Sequence, residues 1–196
     1  MIWMLKLNQS KCHHVRFSKN SVVSKSYYLD NESRAPLASL DRERDLGIIF
    51  NQSLKFEEHI TNKINIAKRN LFLIRKTFRY LEPDVFLNLY KSLVRPHLEF
   101  GSPIWNVFNR TIERKIENIQ KIATSYVHSI GHLSYPERLQ NLNMHSLKFR
   151  RIRDDIITLF KIAQNDFPEG ILNMRRSQNL RGHKFSLEKK LEIFYY

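Results

Sequence analysis

From residue 54 onward the apolar residues recur at helical spacing. Phe56, Ile60, Ile64, Ala67, Leu71, Ile74 and Phe78 step by three or four, which places them on one side of a helix of about six turns. The opposite faces carry Lys63, Lys68, Arg69, Arg75, Lys76 and Arg79. Pro83 suits the first turn of a second helix, running through Val85, Leu89 and Leu93. Pro96 and the Gly-Ser-Pro of residues 101–103 mark a kink and a break. Thr111 is the expected N-cap of a third helix striped by Ile112, Ile116, Ile119, Ala123 and Tyr126, with Gly131 ending it. Ser134, with Glu137 three residues later, makes a capping box before a short helix. Asn143 or Ser146 opens a last long helix with Leu147, Ile152, Ile156, Leu159 and Ala163 inward, closed by the Phe-Pro-Glu-Gly of residues 167–170.

Residues 1–53 show no such period. Residues 12–17 and 26–29 are short β-favouring runs separated by Ser, Asn and Lys, and residues 45–50 make a further candidate strand. Strands this short are marginal alone. The expectation is a mainly α chain, with a small N-terminal β-hairpin or strand region followed by a helical bundle. A basic, weakly patterned, poorly ordered tail then runs from residue 168 to 196.

Composition sharpens this picture. Among 196 residues, 42% are apolar and 12% aromatic, enough to build a core. The formal charge is +14 and the sequence pI about 10.0, which calls for a polyanionic partner, nucleic acid first and an anionic membrane surface second. A single cysteine, Cys12, rules out an intramolecular disulfide and fits a reducing, intracellular compartment. Residues 1–7 are apolar but short and interrupted by Lys6, so neither a secretory signal nor a membrane span is expected. The sequons at Asn51 and Asn109 then read as chance matches.

Enzyme chemistry is sparse. Cys12-His13-His14 lies on a candidate strand, where neighbours face opposite sides, and no second cysteine pair exists to complete a metal site. Asp154-Asp155 sits inside a helical stripe among arginines, where adjacent side chains point about 100° apart, unlike carboxylates that share metal ions at a strand turn. No glycine-rich phosphate loop or nucleophile elbow is present. Tyr80, Tyr90 and Trp105 are candidates for stacking on bases, although packing in the core is the favoured role for Tyr90 and Trp105.

Residues 89–105, LYKSLVRPHLEFGSPIW, resemble the segment that follows the palm in jockey-like non-LTR retrotransposon reverse transcriptases, which carry a similar run. Trp3 with residues 7–12 resembles the end of the palm, with Lys11 at the position whose lysine lies near the incoming nucleotide's phosphates. Asp45-Leu46-Gly47 resembles the primer grip, Asp45 standing where an aromatic is usual. His59-Ile60 and the helix after it resemble the first thumb helix. Residues 137–142, 146–151 and 155–156 resemble the family's later helical stretch, so the resemblance spans roughly residues 3–165.

The resemblance implies a palm remnant and primer grip over residues 1–53, a helical thumb-like domain over 54–167, and the basic tail over 168–196. The family's catalytic palm aspartates, which would use Mg2+ in the full-length enzyme, are not matched, so no cofactor and no polymerisation by the chain alone are expected. Met1 then opens inside a palm. RNA or RNA–DNA duplex, held without sequence preference, is the expected partner, together with the remaining palm and fingers of a reverse transcriptase. The residues expected to contact nucleic acid are Lys11, Lys63, Lys68, Arg69, Arg75 and Arg79, with Leu46 and Gly47 as the primer-grip-like pair. The alternative is a captured helical scaffold or protein-interaction module, docked through an apolar face near residues 1–7.

Overall fold

The structure is a computed structural model of the chain, and it describes residues 8, 11–17, 25–29, 36–105, 109–164, 174–176 and 185–187. The chain divides into two compact units, Met1–Arg151 and Ile152–Tyr196. It is mainly helical, with a small strand region preceding the helices.

Strand β1 (His13–Val15) pairs in parallel with β2 (Ala38–Leu40). The β-favouring run at residues 26–29 forms no strand. Instead the Tyr27 carbonyl accepts the Leu37 N–H at 2.7 Å, and the Tyr27 ring packs tilted against His14. Strands β3 (Arg42–Asp45) and β4 (Ile48–Asn51) form an antiparallel hairpin with Asp45 opposite Ile48. The single strand expected over residues 45–50 is thus split, because Leu46 and Gly47 take positive φ of 46° and 84°. A two-residue hairpin turn that follows the right-handed strand twist has left-handed backbone at both central positions.

Helix α1 (Glu57–Thr77) buries the expected stripe, Ile60, Ile64, Ala67, Leu71 and Ile74. Phe56 before it is also buried, and Phe78 after it is half-buried. Helix α2 (Pro83–Leu89) begins at its proline as expected and runs through a π-helical turn (Tyr90–Val94) into α3 (Arg95–Glu99). The inward residues here are Phe86, Tyr90, Val94 and Leu98, while Val85 and Leu93 are exposed. The larger aromatic stripe wins because the Tyr90 hydroxyl finds a buried partner, donating to Gln120 Oε1 at 2.8 Å. The wide turn also accommodates Pro96, which lacks an N–H. There the Arg95 N–H bonds back to the Tyr90 carbonyl.

Helix α4 (Ser102–Trp105) is short, and Trp105 is buried with Nε1 donating to the Phe100 carbonyl at 2.7 Å. Tyr90 and Trp105 are therefore core residues, whereas Tyr80 is exposed. Helix α5 (Arg110–Thr124) is capped by Asn109, not Thr111, because the Asn109 side chain accepts from the N–H groups of Thr111 and Ile112. It also ends before Gly131, which serves a later turn where a Cβ would lie 2.7 Å from the Ser125 carbonyl oxygen. Helix α6 (Tyr135–Asn141) has the expected Ser134–Glu137 capping box.

Helix α7 (Leu147–Gln164) starts on the first unit. Glu117 of α5 accepts the N–H groups of Leu147 and Lys148 at 3.2 and 3.0 Å, meeting two of the four orphan donors. Glu117 also accepts the Tyr135 hydroxyl proton, and Gln120 Nε2 donates to the His145 carbonyl at 2.9 Å. Arg138 is buried with its guanidinium on the carbonyls of Lys121 and Leu133 and on the Thr124 hydroxyl. These bonds tie α5, α6 and the start of α7 together through satisfied polar groups.

The second unit contains the rest of α7 and a pair of three-residue strands, β5 (Met174–Arg176) and β6 (Phe185–Leu187). Ile152, Ile156 and Leu159, expected inward, are exposed. Their spacing is amphipathic, but spacing fixes a face and not what packs against it. The remaining tail and the side chain of Ala163 lie outside the described residues.

Candidate nucleic-acid interface

The cations of the first unit fall into two groups. One group holds the fold. Arg150 forms a two-pronged pair with Glu99, which also meets Arg95. Lys148 meets Glu113 at 2.9 Å, and Arg42 meets Glu58 at 2.6 Å. The other group includes Lys11, Lys63, Lys68, Arg69, Arg75 and Arg79, and none of these six is ion-paired with a described carboxylate. Cations with no described carboxylate partner are candidates for phosphate contact, each engaged phosphate adding to the salt dependence of binding.

These six do not share one face. At about 100° per residue, Arg69 and Lys76 point directly away from the buried stripe of α1, Lys68 and Arg75 lie on one flank, and Lys63 lies on the other. The sequence pattern put all of them opposite the core; several instead set their charged heads over neighbouring rings. Lys63 Nζ lies over the Phe100 ring at 5.5 Å, and the Arg75 guanidinium lies over Tyr126 at 5.2 Å. Arg79, just past the helix, lies over Tyr80 at 5.9 Å. Lys63 to Arg75 covers roughly 18 Å of helix at about 1.5 Å per residue. Lys11 is exposed beside β1, its N–H donated to Asn8 at 3.0 Å, and no described contact joins it to α1. Trp3 and residues 1–7, including the apolar face expected there, lie outside the described residues.

The hairpin tip meets this surface. A Cβ at Gly47 would stand 3.5 Å from Phe100 Cε1, so the bare glycine backbone faces the ring. Phe100 is half exposed, at 52%, and Leu46 beside Gly47 is 86% exposed. His97, one turn earlier, has its pKa lowered first by burial and then by Lys63. Leu46, Gly47, Phe100, Lys63 and His97 therefore form one locality, which the sequence pattern did not connect. The available signal was phase: Phe100 stands two residues beyond Leu98, off the buried stripe, directly before a glycine.

Beneath the tip lies His59, 1% exposed, whose Nδ1 accepts the Ile49 N–H at 3.2 Å. This bond fixes β4 on α1. Burial lowers the His59 pKa, with Lys63 and Arg44 adding to it.

A polar cleft of about 480 Å³ lies elsewhere, lined by Arg110, Glu113, Arg114, Glu117, Tyr135, Ser146 and Lys148. Its carboxylates are engaged in the capping and ion pairs described above. Asp154 and Asp155 both lie within α7. Among the described residues, no group of three or more His, Cys, Asp or Glu side chains comes together to hold a metal ion. Among them too, no helix is long and apolar enough to cross a membrane.

Part of the chain is related in sequence to RNA-directed DNA polymerases of non-LTR mobile elements. It is 23% identical over 160 residues to the probable RNA-directed DNA polymerase from transposon X-element of Drosophila melanogaster, a match covering 79% of this chain and 16% of that protein. It is 28% identical over 123 residues to the RNA-directed DNA polymerase from mobile element jockey of Drosophila funebris, covering 60% of this chain and 13% of that protein. An uncharacterized protein of Caenorhabditis elegans is 24% identical over 130 residues, 65% of this chain and 66% of its own length. The chain thus spans less than two thirds of each of these relatives. No protein-family model and no solved structure matches it.

Proposed function

We propose that this chain is the primer-grip and thumb portion of a non-LTR reverse transcriptase, and that it holds template–primer nucleic acid without extending it alone. The observation that carries this reading is the convergence of the hairpin tip, Leu46-Gly47, with Phe100 and with Lys63, a cation unpaired with any described carboxylate. A backbone turn beside a cation, with further cations on the other faces of the same helix, suits phosphate contacts, which position a duplex and carry little sequence information. The partial likeness to polymerases of the jockey kind supports the same assignment. The one adjacent aspartate pair of the sequence, Asp154-Asp155, lies within a helix, which favours positioning over catalysis. In this reading the partner is RNA or RNA–DNA duplex, the catalytic palm and fingers come from elsewhere, and Mg2+ belongs to that palm.

A second reading has one observation in its favour. Ile152, Ile156, Ile157, Leu159 and Phe160 are all exposed on α7, a surface suited to a protein contact. The two readings are separated by presenting the purified chain with a labelled RNA–DNA hybrid, beside a divalent-dependent primer-extension assay. Binding without extension supports the template–primer reading. Failure to bind at low salt refutes it and favours the protein contact, and extension by the chain alone refutes the non-catalytic part.

A further inference from the structure

Several constraints fix the backbone that carries one exposed aromatic ring. The Phe100 N–H donates to the Pro96 carbonyl at 3.0 Å, and the Phe100 carbonyl accepts from Trp105 Nε1 at 2.7 Å. The next residue, Gly101, takes φ of 68° and fits so closely that a Cβ would lie 2.7 Å from Ile48 Cδ1. A backbone fixed on both sides carries a phenyl ring that is nevertheless 52% exposed. The ring's surroundings are equally specific. The bare Cα of Gly47 faces its edge, and the Lys63 ammonium lies 5.5 Å from its centroid.

A half-exposed ring on a fixed backbone, beside a cation with no described counter-ion, offers two complementary surfaces. The ring presents to a base the π face away from the ammonium, and the ammonium meets the phosphate attached to it. Within an intact duplex the base faces are already stacked on one another, so a protein ring can reach only a terminal or unpaired base. We propose that Phe100 and Lys63, beside the Leu46-Gly47 turn, form a nucleotide-stacking platform that takes an unpaired base where the hybrid ends. The proposal rests on the template–primer reading above and goes beyond it by naming a residue and a substrate feature that charge alone does not select. Lys63, 5.5 Å from the ring centroid, is the cation this platform supplies.

The test compares two labelled RNA–DNA hybrids, one blunt and one with a short single-stranded overhang, titrated with the full chain and with three variants. The parent binds the overhang hybrid more tightly than the blunt one. Phe100→Ala abolishes that preference and weakens overhang binding about tenfold, with the salt dependence unchanged. Lys63→Ala lowers the slope of log K against log salt by about one. Phe100→Trp restores the preference, and its emission is quenched on binding beyond the change given by the parent. Where Phe100→Ala melts early, the tryptophan variant decides, and an unquenched Phe100→Trp overturns the platform. Equal binding of both hybrids by the parent, or an undiminished preference in a folded Phe100→Ala, also overturns the platform while leaving the template–primer reading intact. A parent that binds neither hybrid overturns both.

Discussion

Replacing Gly101 by alanine tests whether the close seat of α3 and α4 on the hairpin is real. Two costs add. Gly101 has φ of 68°, and an L-residue held in left-handed backbone costs about 1–2 kcal/mol. The added methyl would stand 2.7 Å from Cδ1 and 3.5 Å from Cγ1 of Ile48, itself only 3% exposed. Forcing a buried side chain to move costs about 1–3 kcal/mol more. The expected loss is about 2–5 kcal/mol, a large part of the roughly 5–15 kcal/mol that holds an ordinary domain. Gly47→Ala supplies the internal control. Its φ is 84°, but its Cβ would meet Phe100 at 3.5 Å, an ordinary contact, so only the backbone cost of about 1–2 kcal/mol applies. Urea denaturation of both variants, with slopes of about 1–3 kcal/mol per molar, separates the two midpoints clearly. Equal midpoints, or a lower one for Gly47→Ala, would refute the packing argument.

Other outcomes follow from the same structure. Tyr90→Phe leaves the buried Gln120 Oε1 without its 2.8 Å donor, and urea midpoints should show a loss of about 1–3 kcal/mol; a neutral result would mean that the buried chain of hydrogen bonds is not formed. His59 has its pKa lowered below the ordinary 6.5 by burial, then by Lys63 and Arg44. The unfolded chain therefore binds the proton first, and stability falls as pH drops through that value. His97 is shifted in the same direction, so the informative comparison is His59→Gln, whose melting temperature should depend less on pH between 7 and 5. An unchanged pH slope would contradict the buried, neutral state. Leu46→Gly relieves an exposed side chain from left-handed backbone and should raise the urea midpoint, by an amount equivalent to about 1 kcal/mol; a lower midpoint would show that Leu46 packs against something.

Much of this was legible in the sequence for a definite physical reason. The α1 stripe was read correctly because three-and-four spacing is unambiguous over six turns, and the Ser134–Glu137 box and Pro83 are strong local signals. Legibility failed where tertiary partners decide. Val85, Leu89 and Leu93 have the same spacing as the true stripe one residue later, and only the hydroxyl partner on α5 selects Tyr90 over its neighbour. The α7 stripe was readable as amphipathic but not as exposed. At the site, Lys63 and Gly47 were each singled out, but their meeting across Phe100 depends on where α3 ends. Nothing in the local pattern encodes that.

The central claim is that cations of α1 hold the phosphates of a hybrid. The most direct test measures hybrid affinity across a salt series for the parent and for a chain carrying Lys68→Ala, Arg69→Ala and Arg75→Ala together. Each engaged phosphate contributes about 0.9 to the slope of log K against log salt for B-form DNA and about 0.7 for single strands. The account predicts a steep parental slope, reduced by about two to three in the triple variant, with weaker binding at every salt concentration. An unchanged slope and affinity in a folded triple variant would contradict it.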